Sequence, residues 1–322
     1  MYLYDGRLEY MKDSDKILQE VKKAVVGKDE VLEKVLMAML AKGHILMEDI
    51  PGVGKTTMAK AFAQALQVNC SRMQFTVDVL PADVTGYNVL DIQSGKTQLK
   101  KGPIFTNIFL ADEINRTSSR TQAALLEVME ETSVTIDGET MMLEDPFIVI
   151  ATQNPVGSAG TQLLPDSQMD RFMIRLEIGY PTKDAEVEIL KRKQQKNNTV
   201  VESVLDRDAF IKMQDECSRV FVHDRIYYYI VSLIQATRNH KQITQGASPR
   251  AAVSLMEMAK ACAYLRGRDY VTPEDVQEVF LDTVAHRMIM FPNNTIDVEQ
   301  ANVVLKQILQ EVQPPLDKGI KL

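Results

Sequence analysis

Tryptophan is absent from this chain of 322 residues, and cysteine is rare, with three residues in all. The three cysteines, Cys70, Cys217 and Cys262, lie far apart in the sequence and match no metal-binding spacing. We therefore expect reduced thiols in a reducing compartment, and neither a disulfide framework nor a cysteine-based metal site.

Long apolar runs are also missing. No stretch reaches the roughly 18 apolar residues that predict a membrane-spanning helix. The first residues, MYLYDGRLEYMKDSD, carry acids where a signal peptide has its apolar segment. We therefore expect a cytoplasmic protein without a membrane span.

Extended basic runs are missing as well. The net charge is −7, and the basic run Lys191-Arg192-Lys193 is short and lies in a helical pattern. A nucleic-acid-binding protein usually carries a basic surface that follows the phosphate backbone. Nucleic acid is therefore not an expected partner.

One segment of the chain has the pattern of a phosphate-binding loop. EDIPGVGKTT, residues 48–57, follows an apolar run at 45–47 and precedes a predicted helix at 58–66. This order of strand, loop and helix lets backbone N–H groups and the start of the helix surround a polyphosphate. Lys55 would reach the β- and γ-phosphates, and the Thr56 hydroxyl would bind Mg²⁺.

The match to the general pattern is not complete, because Asp49 stands where the pattern has its first glycine. The alternative is an ordinary glycine-rich turn with a surface lysine. The strand before it and the helix after it favour the phosphate loop.

Two further apolar runs end in polar side chains. Residues 108–111 are followed by Asp112 and Glu113, and residues 147–152 by Gln153 and Asn154. Open α/β sheets bind ligands at the carboxyl ends of their strands. We expect Asp112 to hold Mg²⁺ through water and Glu113 to polarise the attacking water. Asn154 would orient the same water, although Asn-Pro alone also marks a turn.

Five segments, in order, resemble those of the MoxR family of AAA+ ATPases: PGVGKTT, IFLADEINR, ATQNP, LLPDSQMDRF and GASPRA. The resemblance runs from about Val25 to about Val279. It implies a three-layer α/β P-loop core with a parallel sheet, followed by a C-terminal all-α lid. It also implies ATP hydrolysis with Mg²⁺.

The resemblance assigns roles to matching positions of the chain. Nucleotide contacts would come from Val26 and Gly27 near adenine, from Pro51, Gly52, Val53, Gly54, Lys55, Thr56 and Thr57 around the phosphates, and from the lid residue Arg250 within its own subunit. Thr56 and Asp112 would bind the metal. Glu113, Asn154 and Arg171 would be catalytic, with Arg171 reaching into a neighbouring subunit's site.

The residues around each arginine leave alternatives open. Arg171 could instead pair with Asp170 or Asp166 of its own chain, and Arg116 competes for the intersubunit role. Ser248 and Pro249 predict the start of a helix. Arg250 would then lie in its first turn, where a solvated arginine is an equally plain interpretation.

The pattern along the chain predicts three regions. Residues 1–12 resemble an extension, 13–180 an α/β nucleotide-binding core, and 181–322 a helical lid. Asp13 or Ser14 would cap a first helix that ends near Gly27. Two hairpins are predicted to interrupt the core, one from Asn88 to Leu99 and one at 134–141 with an Asp-Gly turn.

These features predict an oligomeric ATPase that remodels a protein partner. The resemblance implies a ring, with six subunits expected, and clients that carry a von Willebrand factor A domain or mature into metal- or cofactor-containing proteins. One alternative is a slow nucleotide-dependent switch that binds a partner in its ATP state. A DNA-acting motor is a third, which the acidic charge balance disfavours.

Overall fold

The protein is described here by a computed structural model. It covers residues 3–48, 54–92, 95–153, 164–194 and 200–315, with residues 3–12, 91 and 193 described by their backbone alone. None of the described helices is both long enough and apolar enough to cross a membrane.

Helices surround a central sheet and make up most of the C-terminal part. The helices are α1 (Leu3–Ala24), α2 (Asp29–Leu40), α3 (Lys55–Ala65), α4 (Pro81–Thr85), α5 (Ser119–Glu131), α6 (Asp166–Met169), α7 (Lys183–Gln194), α8 (Arg207–Ser218), α9 (Asp224–Asn239), α10 (Pro249–Leu265), α11 (Pro273–Val284) and α12 (Val298–Glu311).

The strands of the described residues form one parallel sheet and three antiparallel pairs. They are β1 (Ile45–Glu48), β2 (Cys70–Gln74), β3 (Gly86–Asp91), β4 (Lys96–Lys101), β5 (Ile108–Asp112), β6 (Ser133–Ile136), β7 (Glu139–Met142), β8 (Ile148–Gln153), β9 (Ile174–Leu176), β10 (Ile243–Gln245) and β11 (Ile289–Met290).

The central sheet has the strand order β2-β5-β8-β1-β9, and its pairings are all parallel. Side chains alternate between its two faces, as the period of a strand requires. In β8, Ile148 and Ile150 pack with α1, α2 and α3, whereas Val149 and Ala151 pack with α5. Layers on both faces explain why the two inner strands β5 and β8 are almost entirely buried and begin with apolar runs.

In the part of the chain that the structure describes, the helical region shares its hydrophobic core with the α/β region. Buried side chains of α8 to α12, such as Phe210, Leu255 and Phe280, belong to the same cluster as those of α1 to α3. The expected three-layer core and helical lid are confirmed, with one addition. The short strands β10 and β11 pair inside the lid.

The first helix differs from the expectation. It begins at Leu3 and ends at Ala24, so the predicted cap at Asp13 or Ser14 is wrong. Ser14 is 1% exposed and lies inside the helix. The segment before it is rich in Leu, Glu, Met, Arg and Lys, which favour a helix, and these residues carry the helix past Gly6. The division at residue 12 stays a prediction.

Both predicted hairpins are present and touch each other. β3 pairs with β4, and β6 pairs with β7, in antiparallel register. The Asn88 side chain of the first donates a 2.8 Å hydrogen bond to Asp137 at the turn of the second. The two hairpins therefore lie side by side on the core.

Candidate functional site

Polar residues of three strands meet at one edge of the central sheet. Because β1, β5 and β8 run parallel, their last residues Glu48, Asp112 and Gln153 lie at the same carboxyl edge. The helix α3 begins with Lys55, only a few residues after Glu48 along the chain, so it starts near the same edge. This is the edge where α/β sheets bind their ligands.

Gly54 has the backbone that the predicted phosphate loop requires. Its φ is +99°, and a Cβ placed there would meet nothing within 4 Å. The glycine is therefore needed for its backbone conformation and not for space. Lys55, Thr56 and Thr57 form the first turn of α3, at the positive end of the helix dipole.

Several predicted site residues lie outside the described part of the chain. They are Pro51, Gly52, Val53 and Asn154. Asp49, the departure from the general pattern, lies outside it as well. Their roles stay predictions.

Asp112 is held by two neighbouring strands. Thr152 of β8 donates a 2.6 Å hydrogen bond to Oδ1, and Arg72 of β2 donates one of the same length to Oδ2. Mg²⁺ keeps most of its waters and takes few protein ligands. The carboxylate of Asp112 and the hydroxyl of Thr56, at the start of α3, fit such a site. The described residues include no cluster of three or more acids, histidines or cysteines that could hold a metal by itself.

Glu113 has a fixed backbone and two side-chain partners. Its φ is +56°, and its N–H donates a 2.8 Å hydrogen bond to Thr152 Oγ1. Its Oε2 accepts hydrogen bonds of 2.8 Å from Gln74 and from Arg116. Arg116, the competing candidate for an intersubunit role, therefore contacts the acid of its own chain.

Val26 and Gly27, predicted to lie near adenine, connect α1 with α2. Gly27 has φ +70°, and a Cβ on it would lie 2.7 Å from the Cβ of Ala185 in α7. The next residue, Lys28, donates hydrogen bonds to the carbonyl oxygens of Ile178 and Tyr180. The segment is thus fixed against the start of the helical region.

Arg171 lies at the other edge of the sheet, just before β9. Its NH1 donates a 3.0 Å hydrogen bond to the carbonyl of Leu126 and pairs with Glu130, near the end of α5. The structure therefore contains an ion pair of Arg171 within its own chain, which was the open alternative. The partner is Glu130 and not the predicted Asp170 or Asp166.

Arg250 pairs with the same glutamate, since its NH2 lies 2.5 Å from Glu130 Oε1. The predicted helix start is confirmed, with Ser248 as the cap of α10 and Pro249 as its first residue. Arg250 is therefore next to Arg171, at the edge of the sheet opposite Gly54 and Lys55. A five-residue strand at about 3.3 Å per residue separates the two edges by roughly 15 Å.

Sequence reasoning missed three residues that shape this site. Arg72, Gln74 and Glu130 contact predicted residues only because β2 pairs with β5 and α5 runs back across the sheet. Arg72 and Gln74 are polar residues in β2, the strand after α3, and this pattern could have indicated a role at the site. No local pattern marks Glu130.

The chain matches two family models. Residues 44–174 match the ATPase family associated with various cellular activities (AAA), and residues 235–308 match the AAA lid domain. A crystal structure from Cytophaga hutchinsonii, described as a candidate ATPase, is 36% identical with a TM-score of 0.90, covering 97% of this chain and 98% of that one.

Curated relatives are similar over nearly the whole chain. Uncharacterized protein YeaC of Bacillus subtilis is 44% identical over 94% of this chain and 95% of its own. Chaperone MoxR1 of Mycobacterium tuberculosis is 36% identical over 94% of this chain and 82% of its own. Protein MoxR of Methylorubrum extorquens is 28% identical, with 92% and 94% covered. With the phosphate-loop helix, the paired acids and the lid in place, the chain belongs to the MoxR family of AAA+ ATPases.

Proposed function

We propose that this protein hydrolyses ATP at the interfaces between subunits of a ring and uses the cycle to remodel or mature a protein partner. One observation carries the proposal. The acids Asp112 and Glu113 lie at one edge of the sheet, and the arginines Arg171 and Arg250 lie at the other. One chain cannot bring both sets to the same nucleotide, so a neighbour completes each site.

The carboxyl edge supplies the binding half of the site. Gly54 and the first turn of α3 bind the phosphates, and Lys55 places a cation on the β- and γ-phosphates. Thr56 and Asp112 would hold Mg²⁺, which would neutralise charge on the phosphates. Glu113, with Asn154, orients the attacking water and accepts its proton. Val26 and Gly27 contact the adenine.

The opposite edge supplies the arginines to the neighbouring subunit. An arginine supplied in trans accelerates phosphoryl transfer by roughly 10³–10⁵-fold in other NTPases. Arg171 fits this role, as predicted. For Arg250 we revise the prediction from its own nucleotide to the neighbour's, because Glu130 holds both guanidiniums together.

The partners follow from the family and its named members. The name Chaperone MoxR1 of the relative from Mycobacterium tuberculosis favours protein clients. We extend this to a ring of six subunits, and to clients with a von Willebrand factor A domain or clients that acquire a metal or cofactor. We also propose that the chain divides into an N-terminal extension (1–12), a nucleotide-binding core (13–180) and a helical lid (181–322).

A slow nucleotide-dependent switch is the second candidate. Its support is the pair of hydrogen bonds that Gln74 and Arg116 donate to Glu113. They occupy one of the two carboxylate oxygens of Glu113 and fix its orientation, so basal turnover would be slow until a client or the ring displaces them. Steady-state turnover with and without a candidate client separates the two functions.

The experiment for the site uses Glu113→Gln. We expect the variant to bind ATP with Mg²⁺ as the parent does, and to lose turnover by about 10²–10⁴-fold, the usual contribution of a positioned base. Glu139→Gln, on the exposed hairpin strand β7, is the matched control. Parental turnover in Glu113→Gln would remove Glu113 from the mechanism. Absence of ATP binding by the folded parent would remove the proposal.

A further inference from the structure

Arg287 is a buried arginine at the junction between the lid and the core. It ends a short 3₁₀ turn at Ala285–Arg287, directly after α11, and its side chain is 1% exposed. Its NH2 donates hydrogen bonds to the carbonyl of Phe172, at 2.6 Å, and to the hydroxyl of Ser254, at 3.0 Å. A lid residue thus binds the main chain of the core immediately after Arg171.

Arg287 also contacts the residue before Arg171. Its NH1 lies 3.3 Å from Asp170 Oδ1. The other oxygen of Asp170 accepts a 2.9 Å hydrogen bond from Ser248, the cap of the helix that carries Arg250. One guanidinium therefore fixes the residues on both sides of Arg171 and, through Asp170, the turn that presents Arg250.

The electrostatics of Arg287 make this arrangement specific. Burial lowers its pKa to about 10, and Arg250 adds to that effect, whereas the charge of Asp170 opposes it. The guanidinium is therefore still charged near neutral pH. A buried charge is tolerated only where it is paired and hydrogen-bonded. The planar fork of arginine reaches Asp170, Phe172 and Ser254 at once, which a lysine ammonium cannot match.

We propose that Arg287 is a positioning residue, which locks Arg171 and Arg250 into one rigid unit aimed at the neighbouring subunit's nucleotide. This inference rests on the proposed function in trans. A subunit without Arg287 should bind ATP and retain its own acids, yet fail to supply arginines to its neighbour. Misplacement by about 1 Å is enough to cost roughly 10²-fold in rate.

The first test compares Arg287→Met and Arg287→Lys with the parent. We expect Arg287→Met to lower kcat by about 10- to 100-fold at unchanged ATP affinity, and Arg287→Lys to fall between it and the parent. Arg268→Met is the matched control, because Arg268 pairs with the buried Asp275 within the lid and touches neither arginine. It should lower the melting temperature and leave kcat near that of the parent.

The second test mixes chains. A Lys55→Ala subunit should not bind ATP but retains Arg171 and Arg250. It should therefore restore turnover to Arg287→Met subunits beside it. Arg171→Ala is the reference for a subunit that cannot supply Arg171, and mixing it with Arg287→Met should restore nothing. Loss of ATP binding in Arg287→Met, or no rescue by Lys55→Ala, would mean a purely structural role.

The outcomes separate this inference from the function on which it rests. Parental turnover in Arg171→Ala refutes the action of Arg171 in trans. Lost turnover in Arg171→Ala together with parental kcat in Arg287→Met refutes the positioning role alone. Should Arg287→Met fail to fold, Arg287→Lys decides, since parental kcat in that variant shows that the fork is not required.

Discussion

Arg250 of the lid lies beside Arg171 of the core, and the two guanidiniums share one carboxylate. Arg171 pairs with Oε2 of Glu130, and Arg250 lies 2.5 Å from Oε1. Two like charges stay this close because the glutamate between them offsets their repulsion. The pair is partly exposed, so a neighbouring subunit can reach both arginines.

The first prediction is that Arg250→Ala behaves as Arg171→Ala does. Each variant should keep its ATP affinity and lose hydrolysis, because in the proposed ring the missing guanidinium belongs to the next subunit's site. Mixing either variant with Lys55→Ala should restore part of the turnover. Arg225→Ala, on the exposed start of α9, is the control and should hydrolyse ATP like the parent.

A different result would relocate Arg250. If Arg250→Ala loses ATP affinity in its own subunit and Lys55→Ala does not rescue it, Arg250 contacts its own nucleotide. The lid would then have to move away from Glu130 when ATP binds.

The second prediction concerns Glu130→Ala. Removal of the shared carboxylate lets the two guanidiniums repel each other, so we expect kcat to fall by about 10-fold, or roughly 1.4 kcal/mol in the barrier. ATP binding should be unaffected, because α5 ends at the opposite edge of the sheet from Gly54 and the start of α3. Glu131→Ala, the exposed neighbour, should have parental kcat. An increase in kcat for Glu130→Ala would instead identify Glu130 as a competitor for the arginines.

The third prediction uses two glycines in the same kind of conformation. Gly54 and Gly95 both have positive φ, and an added Cβ would meet nothing within 4 Å at either position. Alanine should therefore cost about 1–2 kcal/mol of local backbone strain at each. Only Gly54→Ala should weaken ATP binding, measured by titration with Mg²⁺ present, because Gly95 lies in the β3–β4 turn. Equal ATP affinity in both variants would contradict a phosphate-binding backbone at Gly54.

The sequence was informative where function depends on neighbours along the chain. Asp112 ends the buried strand β5 and Glu113 directly follows it, so an apolar run ending in acids predicted both. The start of α10 was predictable for the same reason, because Ser248 and Pro249 are adjacent to the helix they begin. Local chemistry determines each of these features.

Contacts between distant segments could not be predicted in this way. Gln74 reaches Glu113 only because β2 pairs with β5. The sequence of neither strand indicates which strand lies beside it. The place of Arg250 likewise depends on how the lid packs, which the shared core with α1 to α3 determines. The start of α1 was missed because a serine that can cap a helix can also lie buried inside one.

The fourth prediction concerns His44, a buried side chain that joins the sheet to α5. Its Nδ1 accepts a 3.0 Å hydrogen bond from the N–H of Val149, and its Nε2 lies 2.9 Å from the carbonyl of Met129, next to Glu130. This arrangement requires the neutral ring with its proton on Nε2. Burial lowers the pKa of His44 to about 4, because the charged ring would be desolvated.

The sign of the effect follows from proton uptake. Between about pH 6.5 and pH 4 the unfolded chain protonates His44 and the folded protein does not, so stability falls as the pH falls through this window. The contribution of His44 is complete above pH 6.5 and is on the order of 3 kcal/mol. The buried His286, whose pKa is also lowered by burial and by Arg287, acts in the same direction.

The variant His44→Asn separates the contribution of His44 to the pH dependence of stability from that of His286. Asparagine can still accept the hydrogen bond from the N–H of Val149, but it cannot take up a proton. We expect the variant to be less stable at pH 7.5 by about 1–3 kcal/mol, the usual cost of a buried polar group left without its hydrogen bond. Its free energy of unfolding, measured in urea at several pH values, should then fall less steeply from pH 6.5 to 4 than that of the parent. A slope identical to the parent's would show that His44 takes up no proton on unfolding. The link it makes between β8 and the end of α5 would then be insensitive to acid.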